Sequence, residues 1–161
     1  MTAFSDGVVA MRPWRKADAD ALVAAWADPD IAHWTAVPED RSVEAAVRWI
    51  GGWDERRRRG LALDLVVTPA GDETAVLGEV GASFLTTPPA VGWWVLPEAR
   101  GRGVASRAVR LFVTVIMAGG RVNELVAEVD PANPASRAVA RHAGFRPTSD
   151  PGRFVISLDA S

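Results

Sequence analysis

The chain has 161 residues, 48% hydrophobic and 24% charged, a globular balance that fits one domain spanning 1–161 without disulfide or metal staples. A net charge of −2 argues against nucleic acid as a partner, and the lack of any cysteine excludes disulfides, thiolate nucleophiles and Cys-ligated metal. Two histidines, His33 and His142, are too few for a His-rich metal site, so no metal is expected.

The opening MTAFSDGVVAMRPW has no basic segment followed by an apolar one, and no run approaches the ~18 apolar residues of a membrane span. A cytoplasmic protein without membrane contact is the expectation. Val8 to Trp14 alternates like a first strand up to Pro13. From Ala17 to Trp26, the positions Leu22, Val23 and Trp26 recur at helical spacing, and Asp28-Pro29 ends the run. Ser42 is a natural N-cap for a second helix through Val43, Ala46, Val47 and Ile50, which either breaks at Gly51-Gly52 or continues to Arg59. The arginines from Arg56 to Arg59 suit a helix end and read as a solvated face rather than an RNA contact.

Three short apolar runs follow as strands: Leu61 to Val67, Val76 to Leu85, and Val91 to Leu96. A helix from about Arg102 to Met117 carries Val104, Ala108, Leu111, Phe112 and Val115 on one stripe, and Gly119-Gly120 stops it. Leu125 to Val129 is strand again. Asn133-Pro134 reads as an N-cap with proline at the first helical position, and that helix ends near Gly144. Two short strands close the chain, around Phe145 to Thr148 and Phe154 to Leu158, with Asp159 in the tail. The order β-α-α-β-β-β-α-β-α-β-β predicts an α+β (αβα-layered) fold with one central mixed sheet flanked by helices.

The informative stretch begins VGWWVLPEARGRGVASRAV, from Val91 to Val109. A strand ends, a turn with two glycines follows, and an amphipathic helix starts at once. Backbone N–H groups at such a start have no intrahelical partners, and with the helix dipole they suit a phosphate or pyrophosphate. Gly101 and Gly103 let a ligand approach the backbone, and Arg100 and Arg102 add positive charge. The Gly-Lys-Ser/Thr close of a Walker loop is missing, and Ser106 breaks a dinucleotide G-x-G-x-x-G/A fingerprint.

The run from Arg100 to Ala105, R-x-x-G-x-A, resembles the acetyl-CoA pyrophosphate loop of GNAT acetyltransferases. After one helix and one strand, NPASRAVARHAGF from Asn133 to Phe145 looks like the second GNAT signature, in the form of the RimJ/RimL-like ribosomal-protein acetyltransferases. The resemblance implies a GNAT-like fold, with a mostly antiparallel mixed sheet of about seven strands and about four helices, splayed before Arg100 to admit acetyl-CoA. It implies cofactor contacts from Val95, Arg100, Arg102, Gly103, Val104, Ala105, Ser106 and Asn133. It gives Ser136 the role of protonating the leaving thiolate. A homodimer is common in the family.

Two departures stand out. Many GNATs carry a tyrosine acid where this chain has Ala140, and there is no tyrosine anywhere. The slot where relatives place a glutamate base reads Pro89-Ala90-Val91-Gly92. Glu79 is the candidate substitute base, with Asp64 and Glu128 behind it, because a carboxylate buried in a strand has its pKa raised into the useful range. The resemblance also puts Trp34, Trp49 and Trp53 in the acceptor region, where aromatics favour an apolar or cationic acceptor, with His33 beside Trp34 as a further acceptor-site candidate. The expected function is transfer of an acetyl group by direct attack of an amine, a protein N-terminal α-amine first. The alternatives are a small-molecule amine such as an antibiotic or polyamine, or a CoA-binding sensor without catalysis.

Overall fold

The computed structural model describes residues 3–158, so Asp159 lies outside the described residues. Eight strands form one sheet: β1 (Phe4–Ser5), β2 (Val9–Pro13), β3 (Ala62–Pro69), β4 (Gly78–Ser83), β5 (Ala90–Val95), β6 (Glu124–Glu128), β7 (Arg146–Pro147) and β8 (Arg153–Ser157). The helices are α1 (Ala19–Ala27), α2 (Pro29–Trp34), α3 (Val43–Arg58), α4 (Val104–Ala118) and α5 (Pro134–His142). The spatial order is β1-β2-β3-β4-β5-β6-β8-β7, with every pair antiparallel except β5 with β6.

The expected order of elements holds, with two additions. Asp28-Pro29 ends one helix and also starts another. The Asp28 side chain accepts the N–H of Ile31 and proline takes the first helical position, so α2 follows α1 directly. The second addition is β1, two residues paired back on β2 through a turn at Gly7, too short to show a periodic pattern. Helix α3 runs through Gly51-Gly52 because its Ser42 cap and its buried face of Ala46, Ile50 and Trp53 outweigh the two glycines.

Side-chain alternation along the strands splits the core in two. On one face Leu65, Val67, Val80, Ala82 and Val91 pack against Val109, Phe112 and Val113 of α4. On the other, Val66 packs with Trp14, Leu22, Trp26, Ile50 and Trp53 under α1 and α3. The second face also buries a charge pair. Arg12 of β2 grips both carboxylate oxygens of Asp18 at 2.8 and 2.9 Å, with side chains only 4% and 5% exposed. Further bonds from Arg12 to Glu73 O and Pro13 O, and from the Arg15 N–H to Asp18, leave every nitrogen and oxygen of the pair with a partner and pin the start of α1 to the sheet.

The parallel pair is the opening of the sheet. Only Ala90 with Val126 and Val91 with Ala127 are in register; beyond them β5 and β6 diverge, as the expected splay requires. From Gly92 to Val95 one edge of β5 has no strand beside it.

Removing one partner of the buried ion pair should be costly. Asp18→Asn is expected to lower the unfolding free energy by about 3–5 kcal/mol in a urea titration, since Arg12 keeps its charge without a counterion. A loss below about 1 kcal/mol, the scale of an exposed pair, would show that the pair does not anchor α1.

Candidate active site

The divergence of β5 from β6 opens a cleft of about 420 Å³, lined among others by Trp34, Trp93, Val95, Arg100, Asn133 and Ser136. Its floor is the start of α4. Gly101 and Gly103 both adopt left-handed backbone, φ +74° and +72°, a conformation that side chains disfavour, and Gly103 caps α4 without contributing any side chain. The N–H groups of Val104, Ala105 and Ser106 are therefore left for a ligand. Arg107 N–H is the first to bond back, to Gly103 O.

Of the eight expected cofactor contacts, Val95, Arg100, Gly103, Val104, Ala105, Ser106 and Asn133 line this cleft together. Arg102 does not; it is exposed on the turn. The Arg100 guanidinium is already occupied: it reaches Asp28 at 2.6 Å and Asp30 at 3.5 Å, and holds the Asp28 carboxyl below the usual range. Asp28 Oδ2 accepts from both Arg100 and the Ile31 N–H, so one atom joins the glycine turn to the start of α2. Nothing short-range in the sequence marks that bond, because the partners stand 72 residues apart.

Across the cleft, Asn133 caps α5 by accepting the N–H of Ser136 at 3.1 Å. Its amide also donates to Ser136 Oγ at 3.1 Å. With that lone pair engaged, the hydroxyl proton of Ser136 is free to point into the cleft. Ala140 is fully buried in the core, so the position that carries tyrosine in many GNATs faces away from the cleft here.

A second cavity of about 300 Å³ lies on the α1 and α3 side of the sheet. Trp26, Trp49, Trp53 and Trp94 wall it, and Glu79 and Asp64 lie in it. Both carboxyls are shifted by burial. Glu79 is pushed up to about 8 by desolvation first and by the Asp64 charge second, with the nearby indoles of Trp14 and Trp94 pulling it partway back. Those indoles are close but not aligned on both oxygens: Glu79 Oε2 and Trp14 Nε1 are sealed from solvent and make no hydrogen bond. Asp64 is raised to about 6 by desolvation, against the favourable charge of Arg56.

The two spaces meet, since Ile31, Thr35, Trp93 and Trp94 line both. Trp49 and Trp53 line the smaller cavity. Trp34, 38% exposed, lines the larger cleft only, while His33 meets Trp34 edge-on and lines neither. Glu128 is exposed and pairs with Arg153. Thr35, Trp14 and Asp28 were not among the expected site residues; of these only Asp28 carried a local signal, as a cap before proline. Among the described residues no group of three His, Asp or Glu could hold a metal ion, and no helix is long and apolar enough to cross a membrane.

A family model described as acetyltransferase (GNAT) domain matches residues 9–146. No curated protein matches the sequence. Among solved structures, Mycobacterium smegmatis RimJ in complex with CoA-disulfide superposes with a TM-score of 0.80 at 23% identity, covering 97% of this chain and 86% of that one. The ribosomal-protein-S5-alanine acetyltransferase of Vibrio fischeri gives 0.81 at 19%, covering 99% and 98%. The microcin C7 self-immunity acetyltransferase MccE, in complex with acetyl-CoA and AMP, gives 0.79 at 15%, covering 96% and 94%. At these identities the likeness is one of fold.

The Glu79 shift has a thermodynamic signature. Its folded value of about 8 exceeds the ordinary 4.5, so the native state holds a proton that the unfolded chain releases between those values. Stability from this group is present below pH 4.5 and falls as pH rises toward 8. Glu79→Gln is expected to flatten the decline of the melting temperature across that window. A decline as steep in the variant as in wild type would place the titrating group elsewhere.

Proposed function

The chain belongs to the GNAT family of acetyl-CoA-dependent N-acetyltransferases, and from that premise we propose that its acceptor is an N-terminal α-amine of a polypeptide, bound in the smaller cavity. What carries the proposal is the junction of the two spaces at Trp93 and Trp94, which lets an amine beside Glu79 face a thioester laid along the free edge of β5. The S5-alanine acetyltransferase, of this fold, favours the polypeptide acceptor.

The residues divide the work as follows. The N–H groups of Val104 to Ser106 hold the pyrophosphate of acetyl-CoA, and Asn133 meets the pantetheine arm. The edge of β5 near Val95 offers a backbone N–H to polarise the thioester carbonyl. Glu79 takes the proton that the ammonium must lose. The new N–C bond then forms as the C–S bond breaks; Ser136, held by Asn133, donates its hydroxyl proton to the departing thiolate and is reprotonated by the second proton that the nitrogen sheds as it becomes an amide. A base at about 8 matches an α-amine at ~7.7–8.0 far better than a lysine at ~10.4. A free small amine is the second reading, favoured by the volume of about 300 Å³, at the small end for ligand sites.

Gly103→Glu both strains the left-handed turn, φ +72°, and places a carboxylate where the pyrophosphate is to sit, and calorimetry is expected to show acetyl-CoA affinity reduced by about tenfold or more. Unchanged affinity would remove the loop from the cofactor site. Glu79→Gln is expected to lower kcat by roughly 10²–10⁴-fold and to remove the acidic limb of the pH profile. Because the acceptor titrates nearby, the profile is taken with two amines of different pKa. A limb that moves with the amine and survives in Glu79→Gln would sink the assignment of the base. Acetyl-CoA binding without turnover of any peptide or small amine would favour a sensor.

A further inference from the structure

The smaller cavity holds more acid than one proton transfer needs. On the sheet face beneath α1 and α3, three cross-strand rows lie side by side: Val66 with Glu79 and Trp94, Asp64 with Gly81 and Gly92, and Ala62 with Ser83 and Ala90. The middle row is bare backbone on two of its three strands, for different reasons. At Gly81 a Cβ would come within 2.5 Å of Asp64 Oδ1, so the Asp64 carboxylate occupies that space. At Gly92 a Cβ would meet nothing within 4 Å, so the space above it is open. The glycines make a trough along the floor, with Asp64 at its end and Glu79 one row away.

Asp64 and Glu79 are diagonal neighbours on adjacent strands, a spacing of about 7–8 Å that is somewhat less between the Cβ atoms. Neither has a counterion. Glu79 Oε2 has no hydrogen-bond partner, and no ion pair among the described residues joins Asp64 to Arg56, the cation whose charge it feels. Asp64, ionised near neutral pH and kept unpaired in a tryptophan-walled space one row from Glu79, destabilises the empty protein, and a ligand of opposite charge relieves that.

We propose that the acceptor carries a second cationic group a few ångströms from the amine that is acetylated, and that Asp64 selects it by pairing with it. The bare floor at Gly92 gives room for the aliphatic stem between the two nitrogens. Trp26, Trp49 and Trp53 cover that stem and favour the cation. The chemistry belongs equally to a polypeptide that begins with lysine and to a small aliphatic diamine. This inference rests on the smaller cavity being the amine site.

The test is binding first, with turnover as a separate readout. Protein saturated with CoA is titrated calorimetrically with butylamine against 1,4-diaminobutane, and with a tripeptide Ser-Ala-Ala against Lys-Ala-Ala. At least one pair is expected to show a preference for the doubly cationic member of about tenfold or more, lost in Asp64→Asn while the singly charged member keeps its affinity within about twofold. The pair that shows it names the source of the second cation. Equal affinities within both pairs, or an Asp64→Asn variant that weakens all four ligands alike, would overturn the proposal. Gly92→Val fills the trough where space is open, and is expected to weaken the preferred ligand with the melting temperature unchanged. Undiminished binding in that variant would also overturn it. Selective binding without turnover on acetyl-CoA would keep the cation site and defeat the transfer reaction; turnover without preference would do the reverse.

Discussion

Most of this molecule follows from a parallel pair of strands that stays together for only two residue pairs. Backbone N–H and C=O groups need partners, and a strand edge left without them is either hydrated or covered by a ligand. By leaving β6 after Val91, β5 keeps four residues of such an edge facing a cleft. The same divergence lets the chain turn through Gly101 and Gly103 and begin α4 with its first N–H groups free, so that two unsatisfied rows of donors look into one space. A closed sheet would have buried both.

The opposite face of the sheet works by exclusion of water rather than by exposure of backbone. Indoles from α1, α3 and β5 surround Glu79, and the absence of water is what raises its carboxyl. Trp93 and Trp94, adjacent in sequence, point to opposite sides of β5 and still border both spaces, because the strand edge lies between them. The Arg100–Asp28 bond ties the glycine turn to the cap of α2, and α2 supplies Ile31 and leads into Thr35, two of the residues shared by both spaces. Cofactor loop and acceptor wall are thus one mechanical unit.

Local chemistry made much of this legible in the sequence. Ser42, Asn133-Pro134 and Gly119-Gly120 mark helix ends through short-range bonds, and each does so in the structure. The glycine turn and the Asn133 cap lie within single turns of chain, so their local geometry was legible, whereas the role of Ser136 came only through the family resemblance and its bond to Asn133 only from the structure. Long-range register was not legible. Nothing near Gly81 says that Asp64 will lie across it, and nothing near Arg12 says that it will grip Asp18 in the interior rather than meet solvent. Glu79 could be named as a polar residue in an apolar strand, but only the pairing of β4 with β3 and β5 shows that its neighbours are Asp64 and Trp94.

The tryptophans also give the protein an optical property. Trp94, Trp14, Trp53, Trp49 and Trp26 form an unbroken chain, with successive ring centroids 6.1, 5.1, 5.9 and 5.5 Å apart. At these separations the indole transitions couple, and excitation migrates among the rings before it is emitted. The chain contains no tyrosine and its five phenylalanines emit only weakly, so ultraviolet emission is dominated by indole, and five of its seven indoles belong to this array. Four of the five border the smaller cavity. The intrinsic fluorescence and near-ultraviolet dichroism of the unlabelled protein are therefore, in effect, a spectrum of that cavity wall.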